Sequence, residues 1–120
     1  MSKKIVIIDD DKVTLTMLEE VLTKKGFQVL SAHDGAEGYL LIEKEKPDIL
    51  ISDMLIPKLH GLDLCKKIKE TPELEQIKVI LMTAVYKDPV FMAQAKGCGA
   101  DFFIEKPVDT KNLISRIKKL

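Results

Sequence analysis

Short apolar runs alternate along the chain with longer segments whose apolar residues recur at helical spacing, and this alternation repeats about five times. The short runs predict strands over 4–8, 27–31, 48–53, 78–82 and 101–105. The first run is continuous and β-branched, which is typical of a parallel strand covered on both faces. Five strand-helix units predict an α/β fold, in which helices cover both faces of a five-stranded parallel sheet.

A predicted helix follows each strand, five in all, and several begin at a residue that can cap the helix N-terminus. Asp11, Asp34 and Asp109 are the expected caps of the first, second and last helices. The third and fourth helices are predicted over 62–70 and 88–96. In the first helix, the expected buried face consists of Val13, Met17, Leu18, Val21 and Leu22.

The length and composition predict one globular domain that spans residues 1–120. A chain of 120 residues with 46% hydrophobic residues is long enough to bury one core, and it contains no apolar run of membrane-spanning length. The first residues also lack the pattern of a signal peptide. We therefore expect a cytoplasmic protein with no membrane role.

Charge and cysteine content argue against several classes of function. Nineteen basic and nineteen acidic residues cancel, so direct nucleic-acid binding by this domain is not expected. Cys65 and Cys98 have no zinc-type or CxxC spacing, which favours buried or half-buried thiols. His33 and His60 precede turn residues, which favours solvated loop histidines over ligands.

Polar residues follow four of the five predicted strands. Asp9 and Asp10 come after the first strand, Asp53 ends the third, Thr83 follows the fourth, and Lys106 follows the fifth. In the strand order 2-1-3-4-5 of flavodoxin-like doubly wound folds, which we assume here, these ends lie at one edge of a three-layer α/β/α structure. Such folds bind ligands at that edge, so the five side chains are expected to line one pocket.

The chemistry of this set indicates a phosphoryl-transfer site. Three carboxylates repel one another, and a hard divalent cation such as Mg²⁺ would remove that repulsion. A carboxylate can also attack phosphorus, while Lys106 neutralises the transferred charge. Taken singly, the aspartates after the first strand fit a solvated loop with a helix cap as well as they fit a functional site. Thr83 alone fits an ordinary strand-end hydroxyl, and Lys106 alone fits a surface charge. Their joint placement favours the functional interpretation.

From Lys4 to the last helix, the pattern resembles the receiver domains of two-component response regulators. The matching motifs are IIDDD at 7–11, DMLIP at 53–57 with Gly61, MTA at 82–84, and KP at 106–107. The resemblance implies that Asp53 accepts phosphoryl from a histidine kinase or phosphotransfer protein.

The same resemblance implies a magnesium site and a conformational switch. Asp10 and Asp53 would bind Mg²⁺ directly, Asp9 would bind through water, and Leu55 would contribute its backbone carbonyl. On phosphorylation, the Thr83 hydroxyl would move towards the phosphoryl group and Phe103 would rotate inward. For Phe103, the alternative is a core aromatic. The Lys106–Pro107 bond is often cis in the family.

By family resemblance, the surface of the fifth strand and the last two helices would bind a downstream protein or output domain, or form a homodimer. Such a protein would act as a signalling switch rather than an enzyme, although it would catalyse its own phosphorylation and dephosphorylation. Leu55 and Val85 stand where some relatives carry polar side chains that orient water, so we expect slow spontaneous dephosphorylation. Whether the chain is a stand-alone regulator or a fragment stays open.

Rival classes that use a similar sheet fit the sequence less well. A haloacid-dehalogenase-type phosphatase needs a second aspartate two residues after its nucleophile, where this chain has Leu55. A flavodoxin-type flavin carrier needs hydroxyl and amide donors after the first strand, where three aspartates would repel the flavin phosphate. A receiver-shaped binding module that is controlled by association instead of phosphorylation remains the serious alternative.

Overall fold

The computed structural model describes residues 3–54, 61–84, 89, 90, 93 and 97–120. Its strands form one five-stranded sheet in the order β2-β1-β3-β4-β5, with every neighbouring pair parallel. The sheet order and the fold class predicted above are therefore confirmed. The strands are β1 (Lys4–Ile8), β2 (Gln28–Ala32), β3 (Ile49–Asp53), β4 (Lys78–Thr83) and β5 (Phe102–Glu105).

Helices in the described part of the chain are α1 (Lys12–Lys24), α2 (Gly35–Glu45), α3 (Gly61–Glu70) and the C-terminal helix α4 (Thr110–Lys118). Most of the helix predicted over 88–96 lies outside the described residues, but Pro89, Val90 and Ala93 are described and are helical. None of the described helices has both the length and the apolar character that crossing a bilayer requires.

Aspartate side chains cap three of these helices, as predicted. Asp11 accepts a hydrogen bond from the Val13 backbone N–H at the start of α1, and Asp34 accepts one from Glu37 at the start of α2. Asp109 accepts two, from the first turn of α4. Each bond satisfies a backbone N–H that has no partner within the helix, so these residues set where the helices begin.

Two hydrophobic cores lie on opposite faces of the sheet. Because side chains alternate along a strand, Val6 and Ile8 of β1 face the core shared with α2 and α3, whereas Ile5 and Ile7 face the core shared with α1 and α4. Both faces of the central strands are thereby covered, which explains why β1 is apolar at every position after Lys4.

The predicted buried face of α1 is wrong at two positions. Val13 is 77% exposed and Met17 is 36% exposed, whereas Leu15, Leu18 and Leu22 are buried against the sheet. The three leucines follow one another at intervals of three and four residues and so share one face of the helix. Val13 lies two positions before Leu15, which turns its side chain about 200° away from that face.

Candidate functional site

The carboxyl ends of the strands bring the predicted polar residues to one edge of the sheet. Asp9 directly follows β1, and its backbone N–H donates to the Ala32 carbonyl at 3.2 Å. Lys106 directly follows β5, and its backbone N–H donates to the Thr83 carbonyl at 2.9 Å. Sheet-type hydrogen bonds therefore continue past the strands and hold the backbone at these positions.

Lys106 bridges two of the carboxylates. Its Nζ atom lies 2.9 Å from Asp9 Oδ2 and 2.9 Å from Asp53 Oδ2. The two aspartates come from neighbouring strands, and Lys106 reaches them from β5, two strands beyond β3. One ammonium group thus partly neutralises two acidic groups that the fold forces together.

Asp9 is fully buried and has a shifted ionisation. Burial raises the pKa of the Asp9 carboxyl above its ordinary value, because an ionised carboxylate loses its hydration there. Hydrogen bonds from the Asp11 backbone N–H, at 2.9 Å, and from Lys106 oppose this shift without cancelling it. An ionised Asp9 therefore destabilises the folded protein unless further cationic groups bind it.

The pKa of Lys106 responds to two opposing influences. Burial alone would lower it, but the hydrogen bonds to Asp9 and Asp53 and the negative charges of both carboxylates raise it overall. Lys106 is therefore a permanent cation near neutral pH, fixed beside Asp53.

Three carboxylates form a cluster that fits a divalent cation. Asp9, Asp10 and Asp53 each offer one oxygen, and these oxygens lie within 4.8 Å of one another. Asp10 is exposed and Asp53 is partly buried, so the cluster opens to solvent on one side. An all-oxygen donor set with access for water suits Mg²⁺, which keeps several waters when it binds proteins. Leu55, whose carbonyl was expected as a further ligand, lies outside the described residues.

Two features near Asp53 were not predicted. The buried Ser52 hydroxyl donates to the Asp53 carbonyl at 2.9 Å. Gly61 packs directly on the backbone of β3: a Cβ atom there would collide with the Asp53 carbonyl oxygen and lie 2.8 Å from Met54 Cα. Ser52 is the one polar residue inside an apolar run, which is a signal that sequence reading could have used. The contact of Gly61 is purely tertiary.

Thr83 and Phe103, the predicted switch residues, occupy neighbouring strands. Thr83 is 1% exposed at the end of β4, and Phe103 is partly buried on β5, where it pairs with Leu81 and packs against the core. Their roles as switch residues stay predictions. The Lys106–Pro107 bond is cis.

The remaining candidate residues behave largely as expected where they are described. His33 is exposed, with Nδ1 3.8 Å from Glu37 Oε1, and both cysteines are buried and unpaired by disulfide. His60 and Val85 lie outside the described residues, so the hypothesis on dephosphorylation rate stays a prediction.

Known proteins match this chain over nearly its whole length. A family model described as the response regulator receiver domain matches residues 5–118. The chain is 32% identical over 121 residues to the alkaline phosphatase synthesis transcriptional regulatory protein PhoP of Bacillus subtilis. That match covers 100% of this chain and 49% of PhoP, so the chain spans about half the length of this curated relative.

Solved structures agree with the fold. The receiver domain of a signal transduction histidine kinase from Syntrophus aciditrophicus is 34% identical, with a TM-score of 0.92 over 98% of this chain and 89% of that chain. A receiver domain protein from Clostridium thermocellum is 30% identical, with a TM-score of 0.87 over 98% and 92%. The chemotaxis response regulator CheY4 of Vibrio cholerae, at 23% identity, has a TM-score of 0.92 over 99% and 98%, which is a likeness of fold.

Proposed function

The chain belongs to the response regulator receiver domain family, and on this premise we propose that Asp53 accepts a phosphoryl group within a two-component relay. One observation carries the proposal. The Asp53 carboxylate ends β3 beside the Lys106 ammonium, at 2.9 Å, and within 4.8 Å of the Asp9 and Asp10 carboxylates. A nucleophile, a fixed cation and a cation-binding cluster are the parts that phosphoryl transfer to a carboxylate requires.

In the proposed reaction, an Asp53 carboxylate oxygen attacks the phosphorus of the donor. A new P–O bond forms, the P–N bond to the donor histidine breaks, and the leaving imidazole takes up a proton. Lys106 neutralises the negative charge that moves onto Asp53, because its ammonium is already in contact with that carboxylate. The buried Ser52 hydroxyl and the close packing of Gly61 hold the Asp53 backbone during attack.

The carboxylates of Asp9, Asp10 and Asp53 would hold Mg²⁺, together with the backbone carbonyl of Leu55. When bound, the ion supplies positive charge to the phosphoryl oxygens and relieves the repulsion among the acidic side chains. Asp9 would bind the ion through a water molecule. This agrees with its burial and with its two carboxylate oxygens, which already accept hydrogen bonds from the Asp11 backbone N–H and from Lys106.

The signal would leave the site through β4 and β5. Thr83 ends β4 next to the backbone of Lys106, and Phe103 lies three residues before Lys106 on β5. We propose that phosphorylation draws the Thr83 hydroxyl towards the site and that Phe103 turns inward. The surface of β5 and the last two helices would then bind a downstream protein, an output domain or a second copy of the chain.

The proposed donor is a histidine kinase or a phosphotransfer protein. A cytoplasmic location belongs to this proposal, because a kinase that uses ATP meets its acceptor in the cytoplasm. The domain would act as a switch that catalyses its own phosphorylation and dephosphorylation rather than as an enzyme on other substrates.

Incubation with Mg²⁺ and acetyl phosphate, followed by intact mass spectrometry, tests the acceptor. The native protein is expected to gain one phosphoryl group, whereas Asp53→Asn gains none. Asp63→Asn is the matched control, because Asp63 is an exposed aspartate on α3, outside the carboxylate cluster. Equal adducts on the native protein and Asp53→Asn, or no adduct on any of the three, would refute the proposal and favour a module controlled by association.

A further inference from the structure

The two cysteines of the chain contact each other inside the core, away from the acidic site. Cys65 lies in the middle of α3, and Cys98 lies in the turn at 97–99 that precedes β5. The Cys65 Sγ atom is 3.5 Å from the Cys98 carbonyl oxygen, and both residues belong to the same buried cluster of the core. Thirty-three positions of sequence separate them, so only the fold brings these thiols together.

An ion pair holds the two cysteine-bearing segments in place. Lys69 of α3 donates to Asp101 Oδ2 at 3.2 Å, and the same carboxylate oxygen accepts the Val79 backbone N–H at 2.8 Å. Lys69 also donates to the Ile77 carbonyl at 2.8 Å. These bonds fix α3 against the start of β5 and so keep the two cysteines close together in the folded protein.

The two thiols are chemically unequal. Contact with the Cys65 thiol lowers the pKa of Cys98 to about 7, while the same contact raises the pKa of Cys65. Cys98 is 7% exposed and is flanked by the exposed Gly97 and Gly99, whereas Cys65 is fully buried. Since the thiolate is the reactive form, Cys98 is the thiol expected to react first with a small oxidant, and Cys65 is the expected resolving cysteine.

We propose that Cys65 and Cys98 form a reversible oxidation site, in which a peroxide converts the thiol pair into an intramolecular disulfide between α3 and the turn before β5. The inference is independent of the proposed phosphoacceptor role.

The chemistry balances with hydrogen peroxide as the oxidant. The Cys98 thiolate attacks one peroxide oxygen, the O–O bond breaks, and the departing hydroxide takes a proton to become water. Cys65 then loses its proton and attacks the sulfur of the Cys98 sulfenic acid, which releases a second water. Two thiols are oxidised by two electrons, and one peroxide is reduced to two waters.

The disulfide would tie together two segments that both lead to the acidic site. Helix α3 begins at Gly61, which packs on the Asp53 backbone, and the turn at 97–99 leads into β5, which Lys106 follows. In a reducing compartment such a bond would be transient, as is typical of redox-sensing cysteines.

Peptide mapping of the oxidised protein tests the site. The reduced protein is treated with hydrogen peroxide, free thiols are alkylated under denaturing conditions, and trypsin is added. Cleavage places each cysteine alone in its own peptide, 59–66 and 97–111. We expect these two peptides to be linked in a monomeric protein and to be released by dithiothreitol. Alkylation after each treatment separates this result from methionine oxidation, which leaves thiols unchanged.

Two single variants assign the roles. Cys65→Ala removes the resolving thiol, which would otherwise attack the Cys98 sulfenic acid. That sulfenic acid should therefore persist and be trapped by dimedone. Cys98→Ala should leave Cys65 fully alkylatable after the same exposure. If either variant fails to fold, the linked peptides of the native protein still decide the question. Full alkylation of both cysteines after peroxide, or linkage only between chains, would overturn the proposal.

Discussion

The Lys106 Nζ atom lies 2.9 Å from Asp53 Oδ2, and it lies at the same distance from Asp9 Oδ2. Lys106 is thus shared between the proposed phosphoryl acceptor and a fully buried carboxylate. In this structure it reduces the repulsion between two acids, and in the proposed phosphorylation it would already be in place to balance charge on Asp53. This double contact leads to the first prediction.

Replacing Lys106 with methionine should slow the phosphorylation of Asp53 by roughly 10²-fold, because one fixed cation is lost from the transition state. The same change should lower the free energy of unfolding in metal-free buffer by about 1–3 kcal/mol, because Asp9 and Asp53 lose their shared hydrogen-bond donor. Time-resolved intact mass and urea unfolding measure the two effects. Lys111→Met, at an exposed position on α4, is the control and should change neither. An unaltered rate in Lys106→Met would contradict the role.

Asp9→Asn should stabilise the metal-free protein at neutral pH, because the folded variant no longer has to keep a buried carboxylate ionised. Burial raises the pKa of Asp9 in the folded state, so the folded state favours the protonated form. The asparagine side chain resembles that neutral form and still offers an acceptor for the Asp11 backbone N–H.

The stabilisation by Asp9→Asn should depend on pH in a defined direction. Below the ordinary value of 3.8, Asp9 is protonated in both states and the native protein keeps its full stability from this residue. As pH rises through the raised folded pKa, that stability is lost in the native protein and retained in the variant. Urea unfolding in EDTA between about pH 4 and pH 8 would reveal a gap that widens with pH. A constant gap, or a less stable variant at neutral pH, would contradict this explanation.

Mg²⁺ should raise the thermal unfolding midpoint of the native protein, because it binds the folded carboxylate cluster and relieves its repulsion. The stabilisation should reach about 2.7 kcal/mol at a concentration 100 times the dissociation constant. Asp10→Asn should weaken this response strongly, because Asp10 is a proposed direct ligand. Asp63→Asn serves as the control for general salt effects and should respond like the native protein. An equal shift in all three proteins would argue against a specific site.

Gly61→Ala should destabilise the protein by about 1–3 kcal/mol and slow phosphorylation, because the added methyl group collides with the Asp53 backbone. The comparison variant is Gly38→Ala, whose added methyl group has the buried Ile8 side chain, rather than the Asp53 backbone, as its nearest contact. Gly38→Ala should therefore reduce stability while leaving the phosphorylation rate of the folded protein unchanged. The contrast is measured by urea unfolding and by intact mass. Equal rates in both variants would show that Gly61 does not position Asp53.

Local patterns predicted the elements well because they depend on neighbours in sequence. The run at 4–8 is apolar at every position after Lys4, and β1 has those bounds. Asp11, Asp34 and Asp109 each satisfy backbone groups within three residues, so their capping could be read directly from the chain. The other predicted strands differ from the observed ones by one residue, at one end for β3, β4 and β5 and at both ends for β2, where pairing with neighbouring strands decides the limit.

Burial in α1 was harder to predict because it depends on where the sheet lies. Val13 and Met17 are apolar and four positions apart, yet they face outward, while Leu15, which lies midway between them in sequence, faces the core. The amphipathic pattern is broad enough to allow two assignments of the buried face, and only packing against β1 and β2 selects one.

By itself, the sequence determined the alternation of strands and helices, and it placed Asp9, Asp10, Asp53, Thr83 and Lys106 at strand ends. These features rest on apolar periodicity and short-range capping. Only the tertiary structure decided that Lys106 binds two carboxylates at once, that Asp9 is fully buried, and that the Cys65 thiol contacts the Cys98 backbone. Each of these contacts joins residues far apart in the chain, and its geometry depends on how the helices and strands pack together.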